Sequence, residues 1–434
     1  MENSWVKIAI VGSGISGLVC AYLLHREHDI AVFEAADYAG GHTNTIRVDS
    51  NAEGGPLNVD TGFIVYNEKN YPNFVKLLRK LNIATQPADM SFSVRCAQTG
   101  LEYASSSPNR LFAQRRNLLR PSFYRMLADI LRFNREGKKL LECDGAEIPE
   151  LALGEHLRAG AYSQAFIEQH LLPLASAVWS TDLRRMREFP ARYLLRFFDN
   201  HGFLDVRNRP KWRVISGGSR QYVERMIAPF RDRIRLRTAV RSIRRNPHGR
   251  EGGDGGEGIE IQPAAGRAEC FDRVILATHS DQSLRMLADP SDAERNILGA
   301  IGYQENDAVL HTDTALLPRR QRAWASWNYH LSAREREHTA VTYNMNMLQT
   351  LSAKETYCVT LNRTAEIAPG RVIRRIGYHH PQYTPAAVAA QRRHGEISGV
   401  RFTHYCGAYW GYGFHEDGVN SALKVCESFG AKLE

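Results

Sequence analysis

The feature that most constrains the fold lies near the N-terminus, where the apolar stretch from Val6 to Val11 runs directly into the glycine-rich turn GSGISG. Gly12, Gly14 and Gly17 complete a GxGxxG pattern ahead of a helix expected from about Ile15 to His25. The first glycine allows the tight turn, the second lets a pyrophosphate approach the backbone, and the third lets helix and strand pack closely. The helix N-terminus favours negative charge. The pattern therefore predicts a unit that binds a dinucleotide.

A second apolar strand, from Ile30 to Phe33, ends in Glu34, about twenty residues beyond the turn. A carboxylate at this position accepts hydrogen bonds from an adenosine ribose, which favours a cofactor without a 2′-phosphate. Strand, turn, helix, strand and terminal Glu together are more specific than a lone glycine motif.

Size and composition exclude several protein classes. The chain has 434 residues, 43% hydrophobic and 24% charged, which is typical of a globular protein of two or three domains. No run reaches the roughly eighteen apolar residues of a membrane-spanning helix, and no secretory signal precedes the first strand, so we expect a cytoplasmic protein. The seven cysteines never form a CxxC pair, so we expect reduced thiols and no metal site.

The segments after Glu34 carry a family resemblance. They read GGHTNT, from Gly40 to Thr45, and DTGFIVYNEKNYPNF, from Asp60 to Phe74. This order resembles the flavin-containing amine oxidase and phytoene desaturase superfamily, in which the glycine pair leads along the pyrophosphate of FAD. The family usually has arginine after the pair, and this chain has His42 there.

Later segments match the same superfamily in the expected order. A Gly217-Gly218 turn precedes a helix, Val240 occupies the position whose backbone meets the adenine, and the closing segment GAYWGYGFHEDG resembles the turn that opens a last helix beneath the flavin. The resemblance places that helix N-terminus near Gly418 and Val419, where its dipole would stabilise the reduced flavin. With the N-terminal motif, the implied FAD-binding residues are Gly12, Gly14, Ile15, Ser16, Gly17, Glu34, Ala35, Gly40, Gly41, His42, Thr45, Gly62, Phe63, Val240, Ala277, Gly407, Tyr412, Gly413, Asp417, Gly418 and Val419.

The implied fold is α/β, with a Rossmann-like FAD-binding domain of the GR2 type and an inserted α+β substrate domain. We expect residues 1–75, 206–285 and 396–434 to form the first domain, and residues 76–205 and 286–395 to form the second. The stretches AVTYNMNML and YCVTLN are expected to be strands of the inserted domain. The glycine-rich segment from Asn246 to Gly258 is expected to be a hairpin loop.

Excess positive charge is concentrated between Arg110 and Lys139. From Pro121 onward the apolar residues recur with a helical period, and arginines lie on the other faces. The apolar residues are Phe123, Met126, Leu127, Ile130 and Leu131. This basic amphipathic helix is either a surface helix packed on the core or a contact with an anionic membrane, to which the Arg-rich segment from Arg184 to Leu204 would add. We therefore expect a peripheral location on the inner face of the membrane. Nucleic acid is not an expected partner, because no recognition fold is evident.

The presence of one complete dinucleotide fingerprint indicates FAD without a nicotinamide site. Electrons would then come from an organic substrate by hydride transfer to flavin N5 and leave to oxygen or a quinone. In amine oxidases aromatic rings face the flavin, and Tyr409, Trp410 and Tyr412 lie in the closing segment, although packing aromatics would look the same.

The residues of these motifs more closely resemble those of a bacterial subgroup of the superfamily. Its relatives include the oxidase-like domain of plant cyclopropane fatty acid synthases and the flavin-dependent desaturases of furan fatty acid synthesis. That resemblance implies dehydrogenation of an unsaturated phospholipid acyl chain. Candidate proton acceptors are His415, Glu416, Tyr409 and His42, each of which would also suit a structural hydrogen bond. The alternatives are a flavin amine oxidase and a non-catalytic FAD-binding partner of a lipid methyltransferase.

Overall fold

The computed structural model describes residues 5–49, 55–142, 151–206, 209–246, 258–332 and 338–434. The expected hairpin loop from Asn246 to Gly258 therefore lies, except at its ends, outside the described residues. The strands are β1 Lys7–Val11, β2 Asp29–Phe33, β3 Thr45–Val48, β4 Leu57–Asp60, β5 Val65–Asn67, β6 Thr85–Pro87, β7 Phe92–Cys96, β8 Glu102–Ala104, β9 Trp212–Ile215, β10 Ile234–Arg235, β11 Val240–Asn246, β12 Gly258–Pro263, β13 Glu269–Phe271, β14 Arg273–Leu276, β15 Gly302–His311, β16 Trp327–Leu331, β17 Val341–Asn344, β18 Cys358–Leu361, β19 Val372–Gln382 and β20 Thr403–Tyr405.

The α-helices follow the same chain order. They are α1 Ile15–Leu24, α2 Pro72–Lys80, α3 Pro108–Leu111, α4 Pro121–Glu142, α5 Leu153–Ala159, α6 Gln164–Phe166, α7 Leu172–Trp179, α8 Leu183–Met186, α9 Ala191–Asn200, α10 Arg220–Ile227, α11 Ser280–Met286, α12 Asp292–Leu298, α13 Met345–Leu348, α14 Pro385–Gln391 and α15 His415–Glu427. Among the helices in the described ranges, none is both long enough and apolar enough to cross a membrane.

A five-stranded parallel sheet forms one half of the molecule, with strand order β10-β2-β1-β14-β20. The central strand β1 is a continuous apolar run because the sheet is covered on both faces, and Ile8, Ala9 and Ile10 are fully buried. Helices α1 and α15 pack against each other beside this sheet. In such sheets ligands bind outside the carboxyl ends of the strands, which here is the end at which Gly12 follows β1.

A seven-stranded mixed sheet forms the other half, with strand order β19-β15-β18-β17-β16-β7-β8. Its neighbours are antiparallel except for β16 and β7. The sheet shares one hydrophobic core with helices α4, α7 and α9. The α/β class is confirmed, whereas the domain boundaries stay a prediction.

The stretch AVTYNMNML is only partly a strand, which corrects the expectation. Strand β17 ends at Asn344, whose side-chain oxygen accepts a hydrogen bond from the Met347 N–H and caps helix α13. An N-cap of this kind favours a helical turn over continued extension.

Helix α4 packs its apolar stripe against the core. Phe123, Met126 and Phe133 are buried. Asp129 is also buried and forms an ion pair with Arg132, with 3.1 Å between the charged atoms. Leu131 is 57% exposed, so the stripe is wider than the face that the core covers.

Candidate active site

A cavity of about 730 Å³ lies between the two halves of the molecule. It extends from the carboxyl ends of β1 and β2, past the turn before α15, to apolar side chains from α7, α9 and the seven-stranded sheet. Its lining includes most of the residues that the sequence predicts, namely Gly12, Gly14, Ile15, Ser16, Glu34, Ala35, Gly40, Gly41, His42, Gly62, Phe63, Val240, Ala277, Gly407, Tyr409, Tyr412, Gly413 and His415.

The turn after β1 has the geometry of a phosphate cradle. Gly12 has a φ of +101°, and a Cβ there would lie 2.8 Å from the carbonyl oxygen of Ala277. At Gly14 a Cβ would meet no atom within 4 Å, because that side of the backbone faces the cavity. Helix α1 begins directly after Gly14 with neither a side-chain cap nor an acidic residue in its first turn. Its first N–H groups are therefore available to an anionic ligand.

Glu34 is held in place beside this cradle. One carboxylate oxygen accepts hydrogen bonds from the N–H of Ser13 at 2.9 Å and from its hydroxyl, and the other accepts from the N–H of Ala36 at 2.8 Å. The oxygen that accepts from Ala36 makes only that one bond to the residues that the structure describes, so it has further acceptor capacity for a ribose hydroxyl. Val240, the predicted adenine contact, lines the same end of the cavity.

His42 replaces the arginine of the family but lacks a permanent charge. Its ring stacks on Tyr378 with centroids 4.8 Å apart. Burial, together with the nearby His279 and His379, lowers the pKa of His42 to about 4. The residue is therefore neutral at pH 7 in this structure, and it cannot supply the fixed cation of a guanidinium.

Sequence reasoning missed three cavity residues that surround His42. His279 follows β14, and His379 and His380 lie near the end of β19, so that two distant segments complete a histidine cluster of His42, His279, His379 and His380. The ring of His42 lies 5.5 Å from that of His380 and 6.3 Å from that of His279. The adjacent pair in YHHPQ was the available signal, but its partners are remote in sequence.

A chain of amides fixes the tautomer of His380. The N–H of Asp307 donates to Asn362 Oδ1, Asn362 Nδ2 donates to Asn306 Oδ1, and Asn306 Nδ2 then donates to His380 Nδ1 at 2.9 Å. Because Nδ1 accepts, the neutral ring carries its proton on Nε2. Burial is the main reason that the pKa of His380 falls to about 3, with His42 contributing. His380 therefore presents a neutral N–H donor.

His415, the first residue of α15, is tightly held. Its ring stacks on Phe63 with centroids 3.3 Å apart. Its Nε2 lies 2.9 Å from the hydroxyl of Tyr222 and 3.1 Å from that of Thr43. Burial lowers the pKa of His415 well below its ordinary value.

Two buried tyrosine hydroxyls at the cavity have no hydrogen-bond partner in the described structure. They belong to Tyr383, which follows β19, and Tyr409, in the closing segment. Burial raises the pKa of both phenols, so both hydroxyls remain protonated donors at neutral pH. Because buried polar groups are nearly always paired, both hydroxyls indicate that a polar ligand belongs in the cavity.

Six predicted residues do not line the cavity, and their contacts give the reason. Glu416 accepts hydrogen bonds from the N–H groups of Asn73 and Phe74, at 3.0 and 2.8 Å, and so caps α2. Asp417 accepts from the N–H of Phe414 and caps α15. The side chain of Thr45 hydrogen-bonds to Asp60, and Val419 is fully buried in the core. The last two are glycines that allow close packing: a Cβ at Gly17 would lie 2.0 Å from the Gly12 carbonyl oxygen, and a Cβ at Gly418 would lie 2.7 Å from Ile15 Cγ2.

The structure also corrects the expected start of the last helix. The sequence placed its N-terminus near Gly418 and Val419, whereas α15 starts at His415. Gly418 lies one turn further along, where the absence of a side chain lets α15 approach α1 closely.

The far end of the cavity is an apolar chamber. It is formed by Met90, Val178, Trp179, Phe197, Leu348 and Leu361. Among the described residues that line the whole cavity, Glu34 is the only one with a carboxylate, and it lies at the nucleotide end. No group of three or more metal-binding side chains suited to an ion occurs in the described part of the chain.

FAD fits this site. The glycine turn and the α1 N-terminus suit the pyrophosphate, Glu34 suits the ribose, and the open backbone at Gly14 and the unpaired hydroxyl of Tyr409 leave polar partners for a bound group. The neutral His42 departs from the family pattern, but the backbone that forms the cradle is kept. Gly41 has a φ of +59°, and a Cβ there would approach Gly14 Cα to 3.1 Å.

Comparisons with known proteins agree with this geometry. A cyclohexylamine oxidase from Brevibacterium oxydans superposes with a TM-score of 0.69 at 14% identity, covering 98% of this chain and 99% of that chain. A fatty acid isomerase from P. acnes superposes with a TM-score of 0.64 at 15% identity, covering 98% and 99%. At such identities the likeness establishes the shared fold.

Sequence relatives point to the same family. Two proteins of Mycobacterium tuberculosis, provisionally named flavin-containing monoamine oxidase AofH, are 25% identical over 272 residues, or 61% of this chain. The match spans 55% of the length of these relatives. Residues 15–330 match the family model of flavin containing amine oxidoreductases. The chain thus belongs to the flavin containing amine oxidoreductase family, and its cofactor is FAD.

Proposed function

We propose that the protein is an FAD-dependent oxidoreductase that dehydrogenates an unsaturated phospholipid acyl chain. The observation that carries this proposal is the continuity of one cavity, from the phosphate cradle at Gly12 and Gly14 to an apolar chamber lined by Met90, Trp179 and Phe197. An acyl chain in the chamber would gain roughly 0.8 kcal/mol for each buried methylene.

The electrostatics of the chamber favour an uncharged chain over a protonated amine. Among the described lining residues, no carboxylate lies at the apolar end to receive an ammonium group, and Arg241 and Arg285 are the only permanent cations. A charged amine placed there would lose its hydration without gaining a paired charge. Hydride loss is easiest beside an existing double bond, because the developing positive charge is delocalised.

The chemistry divides between the cofactor and the chain. When bound, FAD would supply the hydride acceptor, and oxygen or a quinone would take the electron pair in turn. The remaining proton must pass to a protein group. We assign it to His42, which lines the cavity and whose pKa burial lowers to about 4, so that its ring is neutral. A neutral imidazole carries a proton on only one of its two nitrogens, so the other nitrogen is free to accept the proton.

The test is product analysis with the purified, FAD-loaded protein. Vesicles of dioleoyl phosphatidylglycerol are incubated with the protein in air, and the acyl chains are analysed by mass spectrometry. Chains that have lost two hydrogens support the proposal, and a matched incubation with heat-denatured protein gives the background. Unchanged acyl chains, together with oxidation products from aliphatic or aromatic amines, would contradict the proposal and favour an amine oxidase.

An amine oxidase is the second candidate, favoured by aromatic rings near the closing segment. Tyr193 and Tyr412 have ring centroids 4.4 Å apart, and Tyr193 and Tyr383 are stacked at 5.6 Å. Tyr412 and Tyr383 line the cavity. Such rings would suit a neutral amine, so the same incubations should include cyclohexylamine and putrescine, with peroxide release as the readout.

We also propose that the protein docks on an anionic membrane from the cytoplasmic side. A surface formed by the segment before α4 and the start of α4 carries exposed apolar side chains beside exposed arginines. Leu119 is 87% exposed, and Leu118 and Tyr124 are each 47% exposed. Arg115, Arg116 and Arg125, which lie close to them in sequence, are also exposed. Exposed leucines bordered by cations suit the boundary between acyl chains and headgroups. Association with a lipid methyltransferase stays a prediction.

A further inference from the structure

A second, smaller cavity of about 360 Å³ adjoins the apolar chamber, and we name it the basic vestibule. Three cations, Arg209, Lys211 and Arg213, line it, and none of its lining residues is acidic. Met90, Phe203 and Trp212 line both the vestibule and the main cavity. These three side chains are therefore a common wall between a positively charged space and an apolar one.

Two of the three cations are available to a ligand. Arg213 is engaged, because its Nε donates to Thr85 Oγ1 at 3.0 Å and its Nη2 to the Thr85 carbonyl at 3.2 Å. Among the described residues, Arg209 has one hydrogen bond, from its Nε to the Asp205 carbonyl oxygen at 2.9 Å. The Asp205 carboxylate is itself paired with Lys138 at 2.5 Å.

Arg213 is also paired with Glu68 at 3.8 Å, so in the described part of the chain the charges that lack a neighbouring carboxylate are those of Arg209 and Lys211. Within the described ranges, no carboxylate lies within 4.0 Å of the Arg209 or Lys211 side-chain nitrogens. Both residues are exposed, so the vestibule reaches solvent. Guanidinium and ammonium groups that converge on one space suit phosphate or carboxylate oxygens.

The common wall is suited to a thin apolar chain. Trp212 is fixed by its place in β9, which pairs with β5 at Asn67. Met90 is only half-buried and unbranched, and Phe203 lies in the turn after α9. Methionine adapts its rotamer readily to a neighbouring group. A chain that passes between the two cavities would contact the apolar side chains of Met90, Phe203 and Trp212.

We propose that the basic vestibule binds the anionic head group of the substrate while its acyl chain passes between Met90, Phe203 and Trp212 into the chamber. The inference rests on the proposed acyl substrate and adds how that substrate is selected and oriented. The head group is anionic in either of two sources, the phosphate of a glycerophospholipid or the carboxylate of a free fatty acid.

The test measures binding of three oleyl amphiphiles to the FAD-loaded protein by calorimetry. The amphiphiles are oleoyl lysophosphatidic acid, oleate and uncharged oleyl alcohol, all below their aggregation limits. The variant is R209Q/K211Q, which removes both available charges from exposed positions. The matched control is R225Q, since Arg225 is an exposed cation on α10 that lines neither cavity.

We expect R209Q/K211Q to bind an anionic amphiphile about tenfold more weakly while oleyl alcohol binds unchanged and R225Q behaves as the wild type. A greater loss for lysophosphatidic acid identifies phosphate as the head group, and a greater loss for oleate identifies carboxylate. Equal losses for oleyl alcohol, or no loss for either anion, would overturn the inference. Retained flavin absorbance confirms that the variant is folded.

The same samples separate this inference from the proposed function. If head-group-dependent binding is found but acyl chains are never dehydrogenated, the vestibule stands and the reaction assignment falls. If chains are dehydrogenated at the wild-type rate and affinity by R209Q/K211Q, the reaction stands and the vestibule falls.

Discussion

At the scale of single residues, Gly12 and Gly14 are glycines for different reasons. A side chain at Gly12 would meet the Ala277 carbonyl in a left-handed backbone conformation, so the fold itself excludes it. A side chain at Gly14 would enter the open space of the cradle, so only the ligand excludes it.

This difference predicts that Gly14→Ala separates folding from cofactor binding. We expect the FAD-free variant to unfold within about 0.5 kcal/mol of the wild type, because no protein atom is displaced. Its affinity for FAD should fall at least tenfold, because the methyl group occupies the pyrophosphate path. Thermal unfolding without FAD and fluorescence titration with FAD measure the two effects.

Gly395→Ala is the matched control, since a Cβ there also meets nothing within 4 Å but Gly395 lies away from the cavity. Equal FAD affinities for the two variants would contradict the assigned cradle.

His311 in β15 predicts a pH-dependent contribution to stability. The side chain is fully buried, with Nε2 2.7 Å from Thr360 Oγ1, and burial lowers its pKa to about 4. Below about pH 6.5 His311 is protonated in the unfolded chain, whereas in the folded chain it stays neutral down to about pH 4. The free energy of unfolding therefore falls as the pH decreases from about 6.5 to about 4. The slope is about 1.4 kcal/mol per pH unit for one proton.

We expect His311→Gln to remove that contribution. Urea unfolding at several values between pH 7 and pH 5 should show a smaller loss of stability in the variant than in the wild type. Parallel stability curves for the two proteins would show that His311 does not titrate as its burial requires.

At the scale of elements, α15 and α2 are joined by Glu416. Its carboxylate accepts two N–H groups at the start of α2, which has no side-chain cap of its own at Tyr71. We expect Glu416→Ala to lower the free energy of unfolding by about 1–2 kcal/mol and Glu416→Gln to lower it less, because one acceptor oxygen remains.

Glu416 should have no part in the reaction, since it does not line the cavity. The rate of flavin reduction at saturating substrate should therefore be the same in Glu416→Gln and the wild type. A rate lowered by orders of magnitude with unchanged stability would restore Glu416 as a proton acceptor.

The sequence predicted the elements that local patterns specify and missed what distant contacts decide. The first strand, the turn and α1 follow from glycine spacing and an apolar run. The strand starts one residue later than expected, at Lys7, and α1 ends one residue earlier, at Leu24. The start of α15 differs by three residues, because Gly418 reports packing against Ile15 rather than a helix terminus. The histidine cluster was not predictable, because β19 and β14 bring His380 and His279 to His42 from opposite parts of the chain.

At the scale of the whole molecule, the exposed surface around Leu118 and Leu119 predicts membrane binding. We expect L118S/L119S to weaken binding to vesicles that contain phosphatidylglycerol by about tenfold, because two apolar side chains no longer leave water. Vesicle flotation measures the bound fraction.

The matched control is Val400→Ser, since Val400 is 48% exposed in a loop away from α4. Wild-type flotation by L118S/L119S, or an equal loss in Val400→Ser, would remove this surface as the docking site.

The central claim is that one cavity joins the FAD cradle to a chamber for an acyl chain, and anaerobic reduction of the bound flavin tests it most directly. The FAD-loaded protein is mixed without oxygen with dioleoyl phosphatidylglycerol, with putrescine or with cyclohexylamine, and the flavin absorbance near 450 nm is followed. We predict bleaching by the phospholipid and none by either amine. Bleaching by an amine, with the phospholipid inert, would contradict the account.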